Sequence, residues 1–224
     1  MTDVPAEPAD PPVPVWEINI EPIAGRARLA VIGLALAITA QAIVVIFDVL
    51  QAIDLTRYIN HPGPATAGKV SNRDTLREIG LVLSISTLVL GGVAFIRWLH
   101  LAYRNLDSDD REHSTRWAIW AWFVPIMNLV RPKRILEEVQ AVTGGASDVL
   151  VSLWWGAWIL GNITTWITVK LSTNTLEDYR RSDLLDIPGA LLTLVAGVLA
   201  IQVVRGISTR YEQARATRER FEYA

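Results

Sequence analysis

The sequence predicts an all-α membrane protein with four transmembrane helices and a broken, Trp-rich interfacial or re-entrant helical element between the second and third spans. Three observations predict this class. Four stretches of 18 to 21 residues contain no charged side chain, although 20% of the chain is charged. Eight of the nine tryptophans lie between positions 98 and 166, and indole side chains favour the lipid headgroup level. Prolines also interrupt a short apolar run within that region.

Each uncharged stretch has the length that a helix needs to cross the hydrocarbon core, since the rise is about 1.5 Å per residue. A charge at the centre of a span costs roughly 2.5–3.5 kcal/mol on insertion scales. The predicted membrane domain covers 23–205, with spans at about 29–48, 78–99, 149–169 and 187–205. A Pro-rich acidic sequence predicts a disordered tail over 1–22, and a charged helical extension is predicted over 206–224.

Basic residues are distributed unevenly between the two sides of the membrane. If the four spans alternate, one side carries both termini and fourteen of the Lys and Arg residues, whereas the other carries seven. Cytoplasmic segments are enriched in Lys and Arg. We therefore expect both termini to be cytoplasmic.

Two connecting segments receive specific predictions. Residues 51–77 contain HPGPATAG, which predicts irregular structure, followed by a Thr75/Glu78 capping box at the start of the second span. The element at about 116–143 contains Pro125 and Asn128, and then Pro132 in the first turn of a new helix. Asn128 is expected to satisfy backbone groups that the break exposes. Whether residues 117–130 are interfacial or re-entrant stays open.

Three strings, RWLHLAYRNL, WAIWAWFVPIMNLVRPKRILEEV and WWGAWILGNI, carry a family resemblance. In this order they resemble the bacterial domain-of-unknown-function family numbered 4328, over about residues 80–205. The resemblance implies a multi-span membrane protein and implies no activity. The expected location is the inner membrane of a bacterial cell. The residues singled out as a structural motif are Tyr103, Asn105, Pro125, Asn128, Pro132, Glu137 and Glu138.

The sequence contains none of the motifs that would indicate an enzyme. There is no cysteine, no phosphate-binding loop, no zinc-binding His-Glu-x-x-His pair and no serine nucleophile elbow. We expect no catalytic residue, no metal, no cofactor and no nucleic-acid partner. Polar residues within the spans are expected to form interhelical hydrogen bonds or to bond to backbone carbonyls; the alternative is a polar path formed by Gln41, Asn162 and Gln202. The pairs Gly91-Gly92 and Gly156 with Gly161 are expected to allow close helix approach.

A basic cluster supplies the candidate binding residues. Its members are Arg97, His100, Arg104, Arg131, Lys133 and Arg134. In one hypothesis these cations pair with Glu137, Glu138 or the acidic loop and stabilise the cytoplasmic layer. In the other they bind anionic lipid headgroups, each contact contributing on the order of 1 kcal/mol.

Three classes of function remain. The favoured one is a non-catalytic accessory or scaffold component that binds partner membrane proteins or anionic lipids. The alternatives are a small channel or uncoupled transporter, and a membrane enzyme acting on lipid headgroups. The expected partners are the lipid bilayer, anionic lipid, and other membrane-protein subunits or a second copy of the chain.

Overall fold

The computed structural model describes residues 21–106, 109–143, 149–170 and 174–222, and this part of the chain is helical with no strand. The tail predicted over residues 1–22 lies almost entirely outside the described residues. The six α-helices are α1 (Ala24–Asn60), α2 (Pro64–Arg104), α3 (Trp117–Trp120), α4 (Arg131–Val142), α5 (Val149–Val169) and α6 (Leu176–Glu222). A short 3-10 helix, Met127–Leu129, precedes α4.

The long helices form an antiparallel bundle in which α1 packs against both α2 and α6, and α5 packs against α6. The Ser84 hydroxyl of α2 donates to Gln41 Oε1 of α1 at 2.9 Å. The Thr168 hydroxyl of α5 donates to Asp186 Oδ1 of α6 at 3.0 Å. We call the end that carries 21–28, 97–106, 109–143, 149–152 and 205–217 the basal end, and the end that carries 48–77, 168–170 and 174–186 the hairpin end.

Three helices, α1, α2 and α6, are long and apolar enough to cross a membrane. The aliphatic side chains on their outer faces are exposed, among them Leu29 at 63%, Val82 at 66% and Val195 at 50%. Such a continuous apolar surface is unfavourable in water and is matched by lipid. Helix α5 has 21 residues and no charge, and it contains four tryptophans and Asn162.

The connection between α1 and α2 differs from the sequence prediction. The loop predicted over 51–77, with irregular structure through HPGPATAG at 61–68, is wrong except at 61–63, because α1 continues to Asn60 and α2 begins at Pro64. Pro64 occupies the first turn of α2, where its missing N–H costs nothing. The predicted capping box is also wrong, since Thr75 lies inside α2 and its hydroxyl donates to the Ser71 carbonyl.

Polar pairs hold this helical hairpin together at the hairpin end. Arg77 pairs with the buried Asp48, and Arg73 pairs with Asp54 at 3.4 Å. Between these two pairs, Gln51 Nε2 donates to Asp74 Oδ1 at 2.6 Å. The hairpin therefore extends the α1–α2 packing past the uncharged segments.

Glycine sets the distance between the helices at two points. A Cβ built on Gly91 would lie 2.8 Å from the Gly33 carbonyl oxygen, and one on Gly161 would lie 2.8 Å from Thr193 Oγ1. Close approach is thus confirmed at Gly91 and Gly161. The prediction is wrong for Gly92 and Gly156, because a Cβ on either meets nothing within 4 Å.

We expect Gly91→Ala to destabilise the protein and its neighbour Gly92→Ala to leave stability unchanged or slightly higher. The added methyl at Gly91 must push α1 away from α2, and overpacking of this kind costs about 1–3 kcal/mol. At Gly92 the methyl has open space, and Ala favours helix over Gly by roughly 1 kcal/mol. Thermal unfolding in mild detergent measures both variants. Equal melting temperatures for the two would contradict the close contact between Gly33 and Gly91.

Candidate functional site: the tryptophan layer at the basal end

Aromatic rings pack together where α2, α3, the following turn and α5 meet; we call this group the tryptophan layer. Its members are Phe95, Trp98, Trp117, Trp122, Trp154, Trp155 and Trp158. The Phe95 ring lies 5.5 Å from Trp98 and 5.8 Å from both Trp122 and Trp154. Trp155 and Trp158 stack at 4.9 Å. These distances are typical of favourable aromatic pairs, so the layer joins the helices through apolar contact.

The broken segment is fixed to this layer by one indole hydrogen bond. Trp155 Nε1 donates to the carbonyl of Leu129 at 3.2 Å, at the residue where the 3-10 helix ends and before α4 begins. The sequence predicts that Asn128 forms the hydrogen bond to an exposed backbone group of this kind. In the structure Trp155 does so at Leu129, while Asn128 Oδ1 is buried without a hydrogen-bond partner among the described residues. Pro132 lies in the first turn of α4.

A second anchor joins α2, the following loop and α4 through Tyr103. The fully buried Tyr103 hydroxyl donates to Glu138 Oε2 of α4 at 2.7 Å. It also accepts a hydrogen bond from the backbone N–H of His113 at 3.1 Å. The same carboxylate oxygen accepts the backbone N–H of Glu112 at 3.1 Å. One hydroxyl and one carboxylate thus position three segments.

Tyr103 lies six residues beyond Arg97, outside the uncharged segment of α2. Burial raises the pKa of its phenol above the ordinary value, and the hydrogen bond to Glu138 raises that pKa further. The neutral phenol is therefore the form that the folded protein favours.

The segment between α3 and α4 presents an apolar surface away from the layer. Trp120 is 60% exposed, Phe123 65% and Ile126 75%. Their neighbours Leu129 and Val130 are exposed as well. In the chain this row of large apolar side chains directly precedes the basic residues that begin α4.

Three of the predicted cations lie at the start of α4 and have partners there. The Arg131 guanidinium lies over the Trp117 ring at 3.8 Å, which is cation–π geometry. Lys133 pairs with Glu137 at 2.8 Å, and Arg134 lies 3.6 Å from Glu112.

The other three residues of the predicted basic cluster lie on α2 and have different surroundings. Arg104 pairs with Glu21, whose backbone carbonyl also accepts a hydrogen bond from Asn105 Nδ2 at 2.8 Å. His100 Nδ1 lies 3.1 Å from the Thr115 carbonyl. The Arg97 side chain is exposed. The structure therefore places all six predicted cations at the basal end but distributes them over α2 and α4.

The residues of the predicted polar path are not joined by any hydrogen bond among the described residues. Gln41 accepts from Ser84 between α1 and α2. Asn162 is exposed and donates to the Trp158 carbonyl of its own helix at 2.7 Å. Gln202 is exposed on α6. A path through these three residues stays a prediction.

Sequence reasoning missed two residues of α6 that hold the basal end together. Ser208 accepts a hydrogen bond from the buried Trp98 indole at 2.9 Å. Glu212 accepts the backbone N–H groups of Ile23 and Ala24 at 3.1 Å each. It thus satisfies amides at the start of α1 that have no partner within the helix. No local pattern reveals these contacts, because they join residues 110 or more positions apart.

The family model for a domain of unknown function, DUF4328, matches residues 64–209. The chain belongs to this family. The DUF4328 match covers the tryptophan layer and leaves all of α1 outside. With three helices apolar enough to span a bilayer, this member of the family is an integral membrane protein. No curated protein and no solved structure gives a significant match to the chain.

We expect Tyr103→Phe to lower the free energy of unfolding by about 1.5–3 kcal/mol, the usual worth of a hydrogen bond to a charged group. The raised pKa of Tyr103 gives the pH dependence. The stabilisation of the folded state by the Tyr103 hydroxyl is fully present below the ordinary tyrosine pKa near 10. It is lost as the pH rises through the higher pKa of the folded state. The stability gap between the wild type and the variant should therefore narrow in strong alkali.

Thermal unfolding at pH 7 to 11 measures this gap. Tyr58→Phe is the control, because the Tyr58 hydroxyl has no hydrogen-bond partner among the described residues. A gap that stays constant across the alkaline range would show that the Tyr103 hydroxyl does not act through its neutral form.

Proposed function

We propose that this protein is a non-catalytic membrane component whose tryptophan layer lies at the cytoplasmic headgroup level and binds anionic lipid and partner membrane proteins. The observation that carries this proposal is the row Trp120, Phe123 and Ile126. These side chains are exposed and precede the cations of α4 in the chain. Apolar side chains next to basic ones are typical of elements that lie in the membrane interface.

The energetics of the cations are compatible with lipid binding. The pair between Arg134 and Glu112 is long and more than half exposed on both sides. Exposed pairs of this kind contribute only about 0–1 kcal/mol. A phosphate in a charged leaflet contributes about 1 kcal/mol per basic residue, so it competes well for Arg134. Arg116, exposed and with no ion pair among the described residues, adds a further positive charge at the start of α3.

Antiparallel packing supports four spans. Gly161 of α5 faces Thr193 of α6, and Thr168 faces Asp186. Helix α5 therefore runs beside the apolar part of α6 over the same depth. If α6 crosses the bilayer from the hairpin end, the chain must first reach that end through α5. Its 21 uncharged residues are long enough for this, at about 1.5 Å per residue.

The orientation that we propose places the basal end in the cytoplasm of a bacterial cell, at the inner membrane. The fourteen Lys and Arg residues of the predicted cytoplasmic side include every Lys and Arg of the predicted basic cluster at the basal end. The hairpin end, with seven, then lies outside. The exposed apolar row at the basal end is the surface we propose for a partner membrane protein.

We expect single-cysteine variants to report four crossings, and the chain is suited to this test because it has no cysteine of its own. Lys69→Cys and Leu176→Cys, both at the hairpin end, should react with a membrane-impermeant maleimide in intact cells. Ser114→Cys and Gln213→Cys should react only after permeabilisation. Labelling of Leu176→Cys on the same side as Ser114→Cys would show that α5 does not cross.

A nitroxide on Ile126→Cys should lie at the boundary between headgroups and acyl chains, and deeper in phosphatidylglycerol vesicles than in phosphatidylcholine vesicles. The greater depth is expected because the α4 cations are attracted to the anionic surface of the phosphatidylglycerol vesicles. Spin relaxation by oxygen and by a water-soluble nickel chelate measures the depth. The difference between the two lipids should vanish with Lys133→Ala and Arg134→Ala combined, and persist with Arg57→Ala and Lys69→Ala combined. A nitroxide as water-exposed as one on Glu112→Cys would contradict the proposal.

A further inference from the structure

A groove of about 620 Å³ lies at the basal end between the start of α1 and the part of α6 that follows Arg205. Ala27 and Val31 form an apolar wall on α1. Arg28 and Arg205 line the groove from the two helices, and Thr209 and Glu212 line it further along α6. Basic and apolar groups therefore meet in one open cleft.

The two arginines stand at the level where lipid headgroups would lie. Arg28 is the last charge before the uncharged stretch of α1, and Arg205 is the first charge after the uncharged stretch of α6. Both side chains are exposed, and among the described residues neither has an ion pair or a hydrogen bond. They differ in this from Arg104, Lys133 and Arg134, which have acidic partners.

The carboxylate that lines the groove is already occupied. Glu212 Oε1 accepts the backbone N–H groups of Ile23 and Ala24, and Glu212 Oε2 lies 3.5 Å from Arg215. Its charge is thus offset by the start of α1 and by a neighbouring guanidinium. The other two charged groups of the groove, the guanidinium groups of Arg28 and Arg205, have no acidic partner among the described residues.

We propose that this groove binds one anionic phospholipid, with its phosphate between Arg28 and Arg205 and an acyl chain along Ala27 and Val31. Guanidinium groups bind phosphate through paired, charge-assisted hydrogen bonds. The wall of alanine and valine continues into the exposed apolar face of α1, so an acyl chain leaves the groove directly into the bilayer. A soluble anion would use the arginines and leave this wall uncovered.

The groove and the tryptophan layer meet at Ser208, which lines the groove and accepts a hydrogen bond from the Trp98 indole, but they are formed by different helices. The walls of the groove are α1 and α6, whereas the layer joins α2, α3 and α5. The inference therefore does not rest on the proposed function, and the residues that test it are different.

Native mass spectrometry of the full chain in mild detergent tests the proposal, with added phosphatidylglycerol, phosphatidylcholine or inorganic phosphate. The wild type should retain one phosphatidylglycerol in preference to phosphatidylcholine. Arg28→Ala combined with Arg205→Ala should weaken this binding roughly thirtyfold, as expected for two lost headgroup contacts. Thr209→Trp should weaken it by filling the groove while both arginines remain.

The controls separate a site from general charge. Arg28→Lys with Arg205→Lys keeps the charge but loses the paired hydrogen bonds, so its binding should lie between that of the wild type and that of the double alanine variant. Arg57→Ala with Lys69→Ala removes two charges at the hairpin end and should have no effect. Undiminished binding by the double alanine variant would overturn the proposal. Displacement of the lipid by millimolar inorganic phosphate would also overturn it, because it would identify a soluble-anion site. Thermal unfolding verifies that each variant is folded.

Discussion

Exclusion of charge from four long segments is the constraint on which the rest of this structure depends. Within those segments Ser84 donates to Gln41 of the neighbouring helix. Several other hydroxyl groups bond to their own helix, as Ser86 does to the Val82 carbonyl at 2.8 Å and Thr164 to the Leu160 carbonyl at 2.9 Å. Such bonds satisfy each side chain but join no two helices. Contact between helices then depends on small residues that allow backbones to approach, and stronger polar contacts collect at the two ends. The hairpin end and the basal end are both consequences of this separation.

The sequence predicts the long helices well because their signal is local: an uncharged stretch of the right length needs no knowledge of its neighbours. It failed at the α1–α2 connection for the opposite reason. Pro62, Gly63 and Pro64 are strong local signals for irregular structure, and they do mark the turn, but the turn has only three residues. Asp48, Gln51 and Asp54 share one face of α1, and Arg73 and Arg77 share one face of α2. This pattern indicates helix on both sides of the turn, provided that the two faces are assumed to meet.

The candidate site shows the same contrast. Features that depend on neighbouring residues could be predicted from the sequence, whereas contacts between residues far apart in the chain could not. Pro132 and the cations around it could be located from the sequence, since proline has a fixed place in a helix's first turn. The partner of the Leu129 carbonyl could not, because Trp155 lies 26 residues away. Asn128 was the reasonable choice from sequence alone, as the nearest amide. Arg28 and Arg205 were counted as basic residues of one side, but nothing in the sequence shows that α1 and α6 pack together at that depth.

The extent of the family match separates two kinds of basal contact. The aromatic rings of the tryptophan layer, together with Tyr103 and Glu138, all lie within residues 64–209. Their geometry is therefore built from chain that the DUF4328 model covers. Helix α1 precedes the whole of that region, yet it packs between α2 and α6 and supplies Arg28 and the apolar wall of the groove. Because the amides that begin α1 bond to Glu212, beyond residue 209, both partners of that contact lie outside the match. All residues of the tryptophan layer thus lie within the matched region. The groove also needs α1 and the part of α6 after residue 209, which lie outside that region.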